Sequence, residues 1–460
     1  MPPALLSSSR LARRGATLAT PNLTYGELAA RAARVAEAVD ELADGRPVGL
    51  FSKGRGLDEV VGLTALLTRG HPVVPLDIHA PRRRHEALLE RVGAKVVIAD
   101  RSDFAGVSVV QLDARGQLEG TVRRAPPLEA GPFDASVAAI LFTSGSTGAP
   151  KAIPIRTAGL VAFADWMAAL AGLDEGRRVL RVAELSFDLS WFDHFATLRH
   201  GATLVTAPRR SFATAKGVGR TVADSRPHVI YAVPRFWQAI PSEVLRQSAL
   251  DRILFAGEVF PPGPLHQLSK AAPDRARLFN LYGPTETNVC TFHEVERGAL
   301  DGRTPVPIGR LTPYCRGWLM DGETRIEGAG RGELWVDGPT VMAGPHATRD
   351  LVERDDAGLL HFRGRLDDMI KIRGYRVEPA EVERALLVHP AVNEAVIKRT
   401  ADPRWGWGLT AYVTGDPSPE VELRRFVRKR LPSFMVPDRI HWRAQLPRTA
   451  NGKLDRHAVE

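Results

Sequence analysis

From Thr143 to Ala149 the chain sets seven small or hydroxyl-bearing residues in a row, Thr143, Ser144, Gly145, Ser146, Thr147, Gly148 and Ala149, closed by Pro150 and Lys151. Glycines let backbone amides turn toward one point, hydroxyls add donors and the lysine adds positive charge, which together suit a polyphosphate. The spacing is not that of a Walker A loop, which needs Gly, four residues, then Gly-Lys-Ser/Thr. Here Gly145 is followed by Gly148, and Lys151 comes after a proline. Taken alone, such a cluster is also the composition of a surface loop. A second chemical signal is ELSFDLSWFDHF at 184–195, where Asp188 and Asp193 lie among aromatics. A carboxylate near apolar surface is costly unless paired, although a strand with exposed acidic ends would read the same way. Two later stretches join a turn to polar groups: FNLYGPTETNVC at 279–290, and LPRTANGK ending at Lys453. A Gly-Pro turn and a lysine in a polar tail are each ordinary by themselves.

The elements that must position these residues alternate between helix and strand. Thr24-Tyr25-Gly26-Glu27 has capping-box spacing, and the apolar periodicity after it predicts a helix running to Gly45. Strand-like runs at 47–51, 72–76 and 95–99 are separated by helical stretches beginning near Leu57 and at Pro81. An amphipathic helix is expected over Leu160 to Leu173, with further strands at 203–206, 228–233 and 252–256. This alternation predicts an α/β fold of parallel-rich sheets covered by helices. A small α+β pattern follows: a helix from Pro379, strands AVNEAVIK and LTAYVT, and a helix started by Ser418 and Pro419.

Size and composition limit the possibilities. A single core seldom grows past about 250–300 residues, so 460 residues imply more than one folding unit. The two cysteines, Cys290 and Cys315, have no metal-ligand or disulfide spacing, which favours a reducing, cytoplasmic setting. No apolar run reaches the roughly 18 residues of a membrane span. At the N-terminus the charges of MPPALLSSSRLARR follow a short apolar patch instead of preceding it, so the stretch reads as a loose leader and not a signal peptide. The net charge of +9 is spread along the chain with aromatics at 7%, which argues against nucleic acid and leaves an acidic protein partner as the second explanation after a general arginine bias.

The string TSGSTGxPK resembles the phosphate loop of the adenylate-forming superfamily: acyl-CoA synthetases, luciferases and the adenylation domains of nonribosomal peptide synthesis. At least six motifs carry the resemblance in order, from about Leu23 to Arg456, including LTRGHPVVPLDIHAPRRRHEALL and GELWVDGPTVMAG. It implies a large N-terminal adenylation domain, 1–364, and a small mobile C-terminal domain, 365–460, with ATP and Mg²⁺ as cofactors. By position, Asp188 of the FDxS motif would hold a substrate α-ammonium group. Tyr282 would lie by adenine with Asn280 at its edge, Thr285 beside Gly283 would contact phosphate, and Glu286 would ligate magnesium. Gly257, Glu258 and Phe362 fall in the implied nucleotide site. Arg365 would lie near the ribose, and Asp367 would be the pivot between domains. Lys453 matches the catalytic lysine, with Lys151 and Glu286 beside it in the chemistry.

One departure from the family pattern is plain. The usual long loop before Thr-Gly-Asp is missing, and Pro345-His346-Ala347 leads almost at once to Thr348-Arg349-Asp350. Either the loop is shortened and Asp350 still reaches the ribose, or ribose binding has partly moved elsewhere.

The implied chemistry brings a substrate carboxylate to the α-phosphorus of ATP. Two like unit charges near 4 Å repel by about 4 kcal/mol at an effective dielectric of 20, so cations must offset the repulsion. Aligned with the family, the side-chain pocket is Leu189, Phe192, Tyr231, Leu254, Ala256, Leu281, Val289 and Cys290, between Asp188 and Lys453. None of these eight is charged and several are bulky, so a compact apolar side chain fits and charged or amide ones do not. The combination resembles the pocket of stand-alone prolyl-carrier-protein ligases. L-Proline is the first expectation, with alanine, valine and pipecolate as alternatives. Seven residues follow Lys453, too few for a carrier domain, so the acceptor thiol is expected on a separate holo peptidyl carrier protein. An acyl- or aryl-CoA synthetase, a luciferase-like oxidase, and a nucleotide-binding protein without ligase activity are the other readings; Asp188 disfavours the first two, and the pair Lys151 and Lys453 the last.

Overall fold

In the computed structural model of the chain, the described residues are 5–43, 45–122, 136–144, 150–342, 344–367, 369–372, 374–402, 406–448, 454, 456, 458 and 459. They form two compact units, one of residues 1–76, 89–141 and 153–366, the other of 77–88, 142–152 and 367–460.

Local sequence explains the element ends. The Thr24 amide donates to Glu27 Oε2 at 2.8 Å and the Glu27 amide to Thr24 Oγ1 at 3.2 Å, a reciprocal capping box that starts the helix Tyr25–Ala43. The helix Leu57–Arg69 is buried from Asp58 to Leu67, its carboxylates Asp58 and Glu59 included, and stops at Gly70, whose φ of 75° closes it in the left-handed region.

The first seven-stranded sheet has the spatial order Leu118–Val122, Ser108–Leu112, Val96–Ala99, Val48–Phe51, Val73–Pro75, Val137–Thr143, Lys151–Arg156. Its central pairings are parallel, as expected for strands joined by crossover helices. The second sheet runs Thr203–Val205, Arg178–Leu180, Val229–Ala232, Arg252–Phe255, Arg277–Tyr282, Thr291–Glu294, Arg310–Leu311, parallel up to Arg277–Tyr282 and antiparallel after it. A third, five-stranded sheet is antiparallel throughout and ends on His346–Arg354 and Leu360–Arg365.

The second unit has its own core. Helices Pro379–Leu387 and Glu420–Arg428 cover a three-stranded sheet of Val392–Asp402, Gly406–Gly415 and Arg439–Trp442, and Ile397, Leu409, Val413, Leu423 and Val427 are buried together.

Two local expectations are corrected. The N-terminal stretch is not loose: Leu5, Leu6 and Leu11 are buried, and the Leu5 and Leu6 amides both donate to the Leu67 carbonyl. Its short apolar patch had a surface to cover, the end of the helix Leu57–Arg69. Nor is 184–195 a strand; it is a run of turns leading into a one-turn π-helix, Phe192–Ala196.

Candidate functional site

Three parallel strands of the second sheet lie side by side and carry the expected pocket residues Tyr231, Leu254 and Leu281 toward their carboxyl ends, where open α/β sheets bind ligands. Tyr231 pairs in register with Leu254, and Leu254 with Phe279, two positions before Leu281. Ala256 and Gly257 continue from the middle strand, and Gly257 turns at φ 90°. Leu189, Phe192, Tyr231, Leu254, Ala256, Leu281 and Val289 are buried in one apolar cluster, while Cys290 belongs to the neighbouring cluster under the five-stranded sheet. Phe192 meets Tyr231 edge to face at 5.7 Å between ring centres. Burial, with Asp188 nearby, holds the Tyr231 phenol protonated. Burial also keeps the Cys290 sulfur a thiol, with Cys315 adding to the effect. The lining is therefore uncharged.

Asp188 is half-buried, and its Oδ2 accepts a 2.8 Å hydrogen bond from the Thr285 hydroxyl. The turn that carries Thr285 follows from its sequence. A Cβ on Gly283 would sit 1.6 Å from the Asn288 carbonyl oxygen, so no other residue fits there. Asn288 itself takes φ 53° and its side chain accepts from the Val289 amide, which returns the chain to the sheet. Glu286 projects from this same turn and is half-buried.

The expected nucleotide residues meet at the join between the second and third sheets. Asp350 is buried, with Oδ2 accepting from the Tyr282 hydroxyl and Oδ1 paired with the Arg365 guanidinium, each at 2.5 Å. The Phe362 ring lies 6.5 Å from that of Tyr282. Asn280 donates from its amide nitrogen to the Pro307 carbonyl at 2.8 Å. The short link before Thr348 thus leaves Asp350 beside the same tyrosine and arginine that the resemblance assigns to adenosine.

Of the loop residues, Gly145, Ser146, Thr147 and Gly148 lie outside the described residues, as does Lys453. Thr143 ends its strand with Oγ1 buried and without a hydrogen-bond partner among the described residues. Such an atom is the kind that a ligand oxygen satisfies. Within the second unit, the Ser144 hydroxyl donates to the Arg376 carbonyl at 3.2 Å and accepts from the Glu378 amide at 3.0 Å. Lys151 is exposed at the start of its strand, and Asp367 is exposed and accepts from the Met369 amide.

Sequence reading missed a set of buried charges behind Asp188. Arg55, Glu59, Arg181, Asp193 and His194 are all buried. Burial pushes Asp193 up to about 7, against two backbone amides and two arginines that favour its charged form. Asp193 had signalled the need for a partner; Arg55 and Arg181 carried no local sign, because their partners lie far off in sequence.

Among the described residues, no group of three or more His, Cys, Asp or Glu side chains could hold a metal ion, and no helix is long and apolar enough to cross a membrane. The Glu286 carboxylate suits Mg²⁺, which is commonly held by one or two carboxylates together with substrate phosphates.

This site on this fold defines an adenylate-forming enzyme. Residues 10–344 match the AMP-binding enzyme family and residues 381–453 its C-terminal domain, so the chain belongs to the AMP-binding enzymes. A protein of Pseudomonas fluorescens named as an L-proline-(L-prolyl-carrier protein) ligase is 36% identical over 88% of this chain and 87% of its own. One of the same name from Streptomyces coelicolor is 33% identical over 98% of this chain and 94% of its own. The fold is shared with an amide bond synthetase from Marinactinospora thermotolerans, with a TM-score of 0.83 at 22% identity over 98% of each chain.

Proposed function

We propose that the chain activates an amino acid, L-proline first, as aminoacyl-AMP, and passes it to the phosphopantetheine thiol of a carrier protein in the cytoplasm. The observation that carries this reading is the buried, uncharged set of lining residues with the half-buried Asp188 carboxylate beside Tyr231. It demands a substrate with a cationic group close to a compact apolar side chain. Relatives at 36% and 33% identity named for proline and a prolyl carrier agree with it.

In the first half-reaction a substrate carboxylate oxygen bonds to the α-phosphorus of ATP while the bond to the pyrophosphate oxygen breaks. Asp188 holds the ammonium group, and the eight lining residues hold the side chain. Tyr282, Asn280 and Phe362 take the adenine, and Asp350 with Arg365 the ribose. Thr143, Ser144, Gly145, Ser146, Thr147, Gly148 and Lys151 face the phosphates, while Lys453 neutralises charge where carboxylate and α-phosphate meet. Mg²⁺, held by Glu286 and the triphosphate, would supply further positive charge to the leaving pyrophosphate. In the second half-reaction the carrier thiolate attacks the acyl carbon and AMP leaves; residues 365–460, pivoting at Asp367, are proposed to exchange roles between the two steps. The net charge of +9 favours encounter with an acidic carrier.

Amino-acid-dependent pyrophosphate exchange over a panel of the common amino acids tests the reading. Proline should lead, with alanine, valine and pipecolate behind. Preference for phenylalanine, glutamate or an aryl acid would overturn the pocket assignment. Mass spectrometry should find the acyl group on a holo-carrier, and transfer to free coenzyme A alone would rule out the carrier.

A further inference from the structure

Beyond the strand Arg178–Leu180, the Arg181 amide still donates to the Val205 carbonyl of the neighbouring strand, but the next two residues are held by side chains. The Arg55 guanidinium donates to the Val182 carbonyl at 2.6 Å and the Ala183 carbonyl at 3.2 Å, and lies 3.6 Å from Glu184. From the other side, Asp193 Oδ2 accepts from the Val182 amide at 3.1 Å and the Ala183 amide at 3.3 Å. Both backbone groups of both residues are therefore tied to buried charges. Arg181 and His194 flank the clamp, each beside Glu59 Oε1, at 2.5 and 3.1 Å.

Between the two attachment points the chain makes a closed arc. The Phe187 amide donates to the Glu184 carbonyl, the Trp191 amide to the Asp188 carbonyl, and Asp193 then reaches back to the arc's start. Asp188 sits at the middle of this arc, and Leu189 and Phe192 of the pocket are on it too. Arg55 comes from the turn after Val48–Phe51, in the other parallel sheet, and holds a left-handed φ of 56° there. A non-glycine residue is seldom kept in that region unless its surroundings over-determine it. Its ring neighbour Phe212, 5.1 Å from the guanidinium carbon, and its carbonyl partners supply that constraint.

We infer that Arg55 and Asp193 are positioning residues for substrate recognition: they fix the base of the arc, and so aim the Asp188 carboxylate at the amino group of the substrate. Neither residue is among the eight lining residues assigned from the sequence. The inference rests on the reading of Asp188 as the ammonium partner. A merely structural role for the same charges predicts loss of stability and of overall rate, with no change in which substrate is chosen.

The test compares L-proline with cyclopentanecarboxylate, which keeps the ring and carboxylate but lacks the nitrogen, in adenylation assays of the full chain. The readout is the ratio of kcat/KM for the two acids, with the KM for ATP measured alongside. Arg55→Lys keeps the charge but loses the second nitrogen, so one ammonium cannot replace both Nη2, which serves the two carbonyls, and Nη1, which faces Glu184. Asp193→Asn keeps the shape but leaves only a neutral oxygen for the two amides that Oδ2 now holds, and puts an amide NH₂ at the buried position of Oδ1. Each should lower the ratio by about tenfold or more, through the KM for proline, with the KM for ATP little changed. Should Asp193→Asn fail to fold, Glu184→Gln at the rim of the clamp should shift the ratio in the same direction by less. An unchanged ratio in the folded variants, with both acids slowed equally, overturns the inference. Asp188→Asn separates the two layers of argument. If it leaves the ratio intact, the ammonium assignment itself fails; if it collapses the ratio while Arg55→Lys and Asp193→Asn do not, only the positioning role fails.

Discussion

The Thr285 hydroxyl donates to Oδ2 of Asp188 at 2.8 Å, joining two motifs 97 residues apart. A hydrogen bond to a charged group contributes about 1.5–3 kcal/mol, which corresponds to roughly 10- to 100-fold in binding. Thr285→Val should therefore raise the KM for the amino acid by about that factor, and Thr285→Ser should restore it. If Thr285→Val instead raises only the KM for ATP, the hydroxyl serves the nucleotide and its bond to Asp188 is incidental.

Asp350 bridges Tyr282 and Arg365 from a buried position. Asp350→Asn leaves the guanidinium, 14% exposed, without this carboxylate. Removing one partner of a buried pair costs about 3–5 kcal/mol, and the partial exposure of Arg365 places the expected loss at the lower end. The unfolding midpoint should fall, and the KM for ATP should rise with the KM for the amino acid unchanged. A normal KM for ATP in the folded variant would place the ribose contacts elsewhere.

The strands Val48–Phe51, Val73–Pro75, Val96–Ala99, Thr203–Val205, Val229–Ala232 and Arg252–Phe255 were legible because each is an apolar run, and the helix Tyr25–Ala43 because a capping box starts it. Asp188, Thr285 and Glu286 could be singled out as site candidates because they stand in ordered strings that resemble a family. What the sequence hid depends on distance along the chain. Nothing near Arg55 says that its guanidinium will meet Val182 and Ala183, and nothing near Thr285 says that its hydroxyl will meet Asp188. The apolar patch at Leu5 and Leu6 likewise looked unattached until the end of the helix Leu57–Arg69 supplied its partner.

Lys453 is expected to act in the first half-reaction and not the second. Lys453→Ala should lower aminoacyl-AMP formation by about 10² or more, the scale for losing one electrostatic contact to the reacting group. Thioester formation from supplied aminoacyl-AMP should survive. Equal loss of both steps would contradict the assignment.

Asp58 gives the chain a pH-dependent stability term. It is buried beside Ser52, and burial raises its carboxyl to about 6, against 3.8 in water. The folded state then holds a proton that the unfolded state has released between these two values. Stability falls as pH rises through that window and levels off above it, by an order of a few kcal/mol. Asp58→Asn cannot lose that proton. The stability of the variant minus that of the wild type should therefore rise from pH 4 to pH 6 in denaturant titrations, then stay flat. A difference that does not change with pH would show that Asp58 is ionised in the folded protein throughout.

We propose that Phe192 fixes how much room the substrate has. It is fully buried on the one-turn π-helix and packs edge to face on Tyr231. On this proposal its ring forms a wall of the pocket. Phe192→Ala should destabilise the protein by about 3–5 kcal/mol, because the surrounding strands cannot close over the space. The same space becomes available to substrate. One methylene in an apolar pocket ordinarily changes selectivity by about 10- to 200-fold, which bounds how well the wild type can separate proline from pipecolate. In Phe192→Ala that ratio should fall toward unity, and larger apolar amino acids should begin to support pyrophosphate exchange. If the variant folds, loses stability as expected and still prefers proline by the same factor, Phe192 is part of the core beneath the site and does not line it.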